Sequence, residues 1–107
     1  MDVERLRKVR NTLPARLNAG ILLGDGGFCV LGWMMMIAGY HEITFYSSTI
    51  AVLHPGRGGS VVDVVADEYG IERDEVIRLA RVNDDTPEPE RTDAVRAALD
   101  ELIGAGA

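Results

Sequence analysis

Cys29 is the residue of this 107-residue chain whose type and position could support covalent chemistry. It follows the glycine turn Gly24-Asp25-Gly26-Gly27 and precedes an apolar run of helical length. The partial positive charge at a helix amino terminus favours a thiolate and lowers the pKa of a thiol. With His41 or His54 as the base and the amides of the glycine turn as anion donors, the pattern would describe a thiol-dependent enzyme.

A structural interpretation of Cys29 competes with the catalytic one. His41 lies at the far end of the same predicted helix and His54 lies in a Gly-rich loop, so nothing in the sequence brings either base to the thiol. A cysteine between Phe28 and Val30 is more often a small buried hydrophobe. We therefore favour the structural interpretation and keep Cys29, His41 and His54 as catalytic candidates of an alternative function.

Neither a metal nor a cofactor is predicted. Cys29, the two histidines and several carboxylates are suitable ligand types, but no close pair such as CxxC or HxxxH occurs. Zinc sites usually contain at least one such pair. The glycine turn also matches neither GxxxxGKS/T nor GxGxxG, the sequence patterns of phosphate-binding loops.

Residues 62–80 contain the spacing of a helix-turn-helix. Ala66, Gly70 and Val76 stand where that motif requires a small residue, a turn glycine and a buried apolar residue. The second helix opens with Glu72-Arg73-Asp74-Glu75, whereas base recognition uses Arg, Lys, Asn or Gln. We interpret the motif as helix-packing geometry and keep DNA binding as a second alternative.

Binding candidates lie in two parts of the chain. Asn83 and Asp84 belong to an Asn-Asp-Asp run that is typical of a turn after a helix. Trp33, Phe45 and Tyr46 would offer an aromatic surface if their segments are exposed. The methionines of the central apolar run are predicted core residues, or an adaptable docking surface where a face is exposed.

The elements that must position these residues are mainly helices. Apolar residues at three- and four-residue spacing predict an amphipathic helix that ends near Pro14. The segment Cys29–Gly39 is apolar throughout and predicts a central buried helix. Ser60 as the N-cap and Gly70 as the left-handed C-cap bound a third helix.

Two further helices complete the predicted bundle. The fourth runs from Glu72 to about Val82, and the fifth is capped by Thr92. Between the first and third helices, Ile21–Leu23 and Phe28 could pair across the glycine turn as a short β-hairpin. The segment from Tyr40 to Gly59 predicts a short extended stretch followed by a mobile loop.

The predicted fold class is therefore mainly α. We expect residues 1–107 to form one compact single-domain bundle of four or five helices around a central apolar helix, with a short β-hairpin as an option. The hydrophobic content of 47% is that of a globular protein. The longest apolar run is too short to span a bilayer, which requires about 20 residues, so no membrane role is expected.

Charge and cysteine usage limit the compartment and the partners. A net charge of −6 repels phosphate backbones, which disfavours nucleic acid as a partner. One cysteine and the lack of a basic segment followed by an apolar one at the chain start predict a cytoplasmic location.

Two short motifs in a fixed order resemble those of a group of small uncharacterised proteins found in phages, prophages and actinobacterial genomes. The motifs are Cys29-Val30-Leu31-Gly32 and Leu79-Ala80-Arg81-Val82-Asn83-Asp84, with Glu68-Tyr69-Gly70 between them. The chain has one cysteine where many members have two, and Asp85 where a glycine commonly follows. The resemblance implies no reaction, only the setting of a phage or a mobile element.

These observations favour a binding protein over an enzyme. We expect a small acidic cytoplasmic protein, an accessory of a phage or mobile element, that binds a protein partner such as a host protein. A homo-oligomer is left open. The thiol-dependent enzyme and the helix-turn-helix DNA-binding protein are the alternatives.

Overall fold

The apolar run forms a helix at the centre of the protein, and four more helices are seen in the described part of the chain. The computed structural model describes the backbone of residues 1–19, 23–24, 27–40, 42–45, 51–54 and 57–106, and the side chains of residues 1–19, 28–40 and 60–105. The helices are α1 (Val3–Thr12), α2 (Val30–Ile37), α3 (Val61–Tyr69), α4 (Arg73–Asp85) and α5 (Arg91–Gly106).

The helix α2 occupies the middle of the bundle because it is apolar on nearly every side. It packs against α1, α3 and α4, while α5 packs against α4 and α1. Val30, Met34 and Met35 of α2 are at most 1% exposed. The radius of gyration of 12.7 Å agrees with the value of about 13 Å expected for a compact domain of this length. The prediction of a mainly α, single-domain bundle around a central apolar helix is confirmed.

Five short strands pair in two antiparallel groups within the described backbone. The strands β1 (Leu23–Gly24) and β2 (Gly27–Phe28) form the hairpin across the glycine turn. The strands β3 (Glu42–Phe45), β4 (Ala51–His54) and β5 (Arg57–Gly59) lie in the order β3-β4-β5.

The strand β5 differs from the mobile loop predicted for the end of the Tyr40–Gly59 segment. Arg57 pairs with Leu53, and Gly59 pairs with Ala51. The pairing uses backbone groups, so the Gly-rich composition that predicted a loop does not prevent a ladder at a strand edge. The rest of the predicted loop, at residues 41, 46–50 and 55–56, lies outside the described residues.

The predicted ends of α3, at Ser60 and Gly70, are confirmed. Gly70 ends α3 with a φ of 64°, and a Cβ there would lie 3.2 Å from the Met1 nitrogen. Glycine therefore suits this turn for both conformation and space. Ser60 is the N-cap residue of α3, although its hydroxyl makes no capping hydrogen bond. Asp2 caps α1 by accepting a hydrogen bond from the Arg5 amide at 3.0 Å.

Two other predicted helix ends were wrong. The helix α4 continues to Asp85, so Asn83 and Asp84 lie in its last turn and not in a turn after it. The helix α5 begins at Arg91, and Thr92 does not cap it. The Thr92 hydroxyl instead lies 3.0 Å from the Pro14 carbonyl and 3.1 Å from that of Ala15. In both cases a tertiary hydrogen bond replaces the local one that the residue type suggested.

No helix in the described part of the chain is both long enough and apolar enough to cross a membrane.

Candidate functional site

The two motifs that carry the family resemblance meet at the amino terminus of α2. The Val30 amide, the first of that helix, donates a hydrogen bond of 3.0 Å to the Asn83 Oδ1 atom. The Asn83 Nδ2 atom donates to the Asn18 carbonyl at 2.7 Å and to the Asp84 carboxylate at 3.0 Å. Because the Cys29 side chain makes no capping bond, Asn83 caps α2 from the last turn of α4.

The predicted binding candidates Asn83 and Asp84 therefore differ in what a partner could reach. Asn83 is 0% exposed, and its amide is engaged within the protein. It acts as a positioning residue that joins α2, α4 and the segment after α1. Asp84 is exposed, with one carboxylate oxygen accepting from the Asn83 amide.

Cys29 is buried at the same junction, with 7% of its surface exposed. Burial raises the pKa of the thiol, and this effect outweighs the backbone amides of Gly32 and Leu31, which act to lower it. The helix amino terminus thus does not lower the Cys29 pKa in the way that the position alone predicts. The thiol fits the structural interpretation, since a buried neutral thiol is a poor nucleophile.

The buried thiol gives a prediction for labelling. We expect a small disulfide reagent to modify native Cys29 about a thousandfold or more slowly than the unfolded chain, because the reaction must wait for opening of the fold.

The folded Cys29 thiol holds its proton at pH values where the thiol of the unfolded chain has lost it. The free energy of unfolding should therefore fall as the pH rises above the ordinary thiol pKa of 9.0. Labelling rates from pH 5 to 9 and unfolding curves above pH 8 measure both effects. Fast native labelling with an apparent pKa below the ordinary value would return the thiol enzyme to first place.

The proposed bases and two aromatic candidates are not positioned by the described side chains. His41 and Tyr46 lie outside the described residues. Phe45 and His54 are described as backbone only, in β3 and β4. The structure thus places Cys29 at the junction with Asn83, and neither histidine is among the side chains that it describes.

Trp33 belongs to an apolar strip on the outer side of α2. Its indole Nε1 atom donates a hydrogen bond of 3.2 Å to the Thr12 hydroxyl, and the ring packs edge-on against Phe28 at 5.7 Å. Met36 is 36% exposed, and Ile37 is half-buried. Trp33, Met36 and Ile37, at spacings of three and four residues, form what we call the α2 strip. The helix is therefore not completely covered by its neighbours.

Residues 1–19 contain both paired and unpaired cations, and one of the unpaired ones, Lys8 of α1, lines a shallow groove with Ile37 of the α2 strip. Arg5 is paired with Glu68 at 3.3 Å, and Arg10 with Asp100 at 2.9 Å. The exposed cations Arg7, Lys8 and Arg16 have no ion-pair partner among the residues that the structure describes. Sequence reasoning found the basic residues of α1 but not which of them stay unpaired, because that depends on carboxylates more than fifty positions away.

Charge is distributed very unevenly along the chain. Residues 1–19 contain five basic and two acidic side chains, whereas residues 60–105 contain thirteen acidic and five basic ones. The excess negative charge therefore lies in the region of α3, α4 and α5, and α1 is locally basic.

A partly buried polar cluster joins the ends of α1, α2 and α3. The Tyr40 hydroxyl donates to Glu68 at 2.6 Å, and Arg5 donates to the Glu68 carbonyl at 3.2 Å. The Arg5 guanidinium also lies 5.8 Å from the centre of the Tyr69 ring, whose hydroxyl donates to the Met34 carbonyl. These groups satisfy one another, so the cluster holds helix ends together and offers no open reactive group.

The predicted helix-turn-helix segment forms two packed helices, α3 and α4, around the Gly70 turn. The outer face of α4 has a shallow groove of about 480 Å³ whose lining contains two acidic and two basic side chains. Arg73 is paired with Asp63, and Arg78 with Glu101. With two of the three arginines of α4 paired, and with Asp74 and Asp85 in the groove beside Arg81, this face does not offer the basic surface that DNA requires.

No group of three metal-ligating side chains is found within the described part of the chain. There, too, no buried side-chain nitrogen or oxygen lacks a hydrogen-bond partner, so no polar atom is directed at an absent ligand. The candidate site that remains is the α2 strip, with Lys8 of α1 beside it.

Three comparisons with known proteins were negative: no protein-family model matches the chain, and neither the curated proteins nor the solved structures contain a significant match.

Proposed function

We propose that this chain is a small acidic binding protein that docks onto a protein partner through the α2 strip. It works in the cytoplasm, in the setting of a phage or a mobile element, and its partner is a protein of the host. The resemblance of the Cys29–Gly32 and Leu79–Asp84 motifs to phage, prophage and actinobacterial proteins supports that setting.

One observation carries this proposal: a helix that is otherwise core leaves one large apolar side chain exposed, with two partly buried ones beside it on the same face. Trp33, Met36 and Ile37 lie next to one another at helical spacing, and Met36 is 36% exposed. Tryptophan and methionine are enriched in protein interfaces, and tryptophan is among the commonest hot-spot residues. Methionine adapts to irregular partner surfaces, because its side chain is unbranched and polarisable.

Two features place this proposal ahead of its alternatives. The buried Cys29 thiol, with its raised pKa, does not favour a thiol-dependent enzyme. The pairing of Arg73 and Arg78 with carboxylates, which leaves Arg81 as the one unpaired arginine described on α4, does not favour DNA binding.

Replacing Met36 by glutamate tests the proposal directly. The substitution places a charge in the middle of the α2 strip, and burying it at an interface should weaken partner capture about thirtyfold or more. The measurement is affinity capture from an actinobacterial extract with the tagged protein, quantified by mass spectrometry for each captured protein.

Ala97→Glu is the matched control, since Ala97 is exposed on α5. We expect a partner that wild type and Ala97→Glu capture equally and that Met36→Glu loses, with both variants unfolding at the wild-type temperature. Capture that does not distinguish the two variants would remove the α2 strip as the docking surface.

A further inference from the structure

We propose that the partner docks with an acidic amphipathic segment, whose apolar side chains cover the α2 strip and one of whose carboxylates pairs with Lys8. This inference rests on the proposed function and adds the chemistry of the partner.

The geometry joins the apolar and basic groups in one surface. The helices α1 and α2 run side by side, with Thr12 hydrogen-bonded to Trp33 at one end. At the other end Lys8 and Ile37 line the same shallow groove. A segment lying on the α2 strip would therefore pass along the edge of α1 that carries Lys8.

The charge that we expect on the partner follows from which cations of α1 already have an ion-pair partner. Arg5 and Arg10 are already neutralised by Glu68 and Asp100, whereas Arg7 and Lys8 have no ion-pair partner in the described part of the chain. A partner carboxylate would complete a pair there without breaking an existing one. Glu4 and Asp2 also line the groove, so the favourable position for a carboxylate lies towards Lys8 and away from these two residues.

The net charge of −6 does not oppose this assignment at short range. Charges separated by more than about 8 Å are screened at physiological ionic strength, so groups at the contact decide which segment is accepted. The acidic 60–105 region does oppose a nucleic acid or an anionic membrane, because both extend far beyond Lys8 and the α2 strip. A protein segment can be short enough to stay on that surface.

A selection from a library of displayed random 16-residue peptides tests the inference without a known partner. Wild-type protein is the bait, and Met36→Glu is the counter-selection bait. We expect the enriched peptides to carry a net negative charge and apolar residues at spacings of three and four. Enriched peptides that are neutral or basic would overturn the acidic assignment and leave the docking surface standing. The absence of any peptide that prefers wild type to Met36→Glu would overturn the docking surface as well.

Binding of the most enriched peptide is then measured through the fluorescence of Trp33, the only tryptophan in the chain. Lys8→Glu should weaken binding about fivefold to tenfold, because it replaces an attractive surface pair by a repulsive one. Arg81→Glu is the matched control, since Arg81 is an exposed cation on α4. Equal effects of the two variants would show that overall charge, and not the edge of α1, determines affinity, and would overturn the inference.

Two other occupants of the α2 strip are separate outcomes. Sedimentation of wild type and Met36→Glu from 1 to about 200 μM covers the affinity range of weak dimers. A dimer that Met36→Glu abolishes would identify a second copy as the occupant. Binding to phosphatidylglycerol vesicles that Met36→Glu abolishes would identify a membrane surface. Either result would overturn the acidic partner segment.

Discussion

Replacing Asn83 by leucine is expected to lower the free energy of unfolding by about 3 kcal/mol. The leucine would fill a similar volume but leave the Val30 amide and the Asn18 carbonyl without their hydrogen bonds of 3.0 and 2.7 Å. Each buried polar group that loses its partner costs about 1–3 kcal/mol. Val30 is 0% exposed, so water cannot replace the lost acceptor without opening the junction. Urea unfolding followed by circular dichroism measures the change.

Two further variants identify which part of the Asn83 amide matters. Asn83→Asp keeps an acceptor for the Val30 amide but loses the donor, and it places a carboxylate beside the Asn18 carbonyl and Asp84. It should also destabilise the protein, and more strongly at neutral pH than at pH 4, because protonation restores a donor. Asn11→Leu, at an exposed asparagine, should stay within about 0.5 kcal/mol of wild type. If Asn83→Leu is as stable as Asn11→Leu, the cap across helices is not a stabilising contact.

The three consecutive methionines of α2 should differ sharply when each is replaced by alanine. Met34 and Met35 are 0% and 1% exposed, and we expect each substitution to cost about 3 kcal/mol through lost burial and an unfilled cavity. Met36→Ala should change the free energy of unfolding by less than about 0.5 kcal/mol, because its side chain is already 36% exposed. Chemical denaturation of the three variants under one condition measures all three values.

Met36→Ala is the internal control of this series. All three positions lie in one helix and undergo the same chemical change, so helix propensity contributes equally to each result. An equal loss of unfolding free energy at the three positions would mean that Met36 is buried in the core. The α2 strip would then not be exposed. Equal small changes would mean that α2 is not the centre of the bundle.

The elements that could be predicted from the sequence are those specified by neighbouring residues. The helix α3 lies between Ser60 and Gly70 as predicted, because a cap position and a left-handed glycine are local signals. The apolar run of α2 was predicted as the central helix from its composition, which is also local, because its side chains can be buried on almost every side.

The features that could not be predicted depend on distant residues. Asn83 and Asp84 favour a turn locally, yet the Asn83 amide bonds to groups 53 and 65 positions away and remains in a helix. Thr92 has the residue type of an N-cap, but its hydroxyl bonds to carbonyls near Pro14. In the candidate site, Trp33 was named from its type, while its exposed neighbour Met36 could be separated from Met34 and Met35 only once the packing of α2 was known.

The cap that Asn83 supplies also sets an order of events in folding. The helix α2 has eight residues, no acidic residue in its first turn and no capping bond from Cys29, and isolated helices of fewer than about 12 residues are marginal in water. The Val30 amide gains its acceptor only when Asn83, 53 residues later in the chain, has packed against the start of α2. Closing so long a loop is entropically costly, whereas α3, α4 and α5 are joined by short connections. We therefore expect the carboxyl-terminal helices to form the folding nucleus, and α2 with its apolar strip to form last.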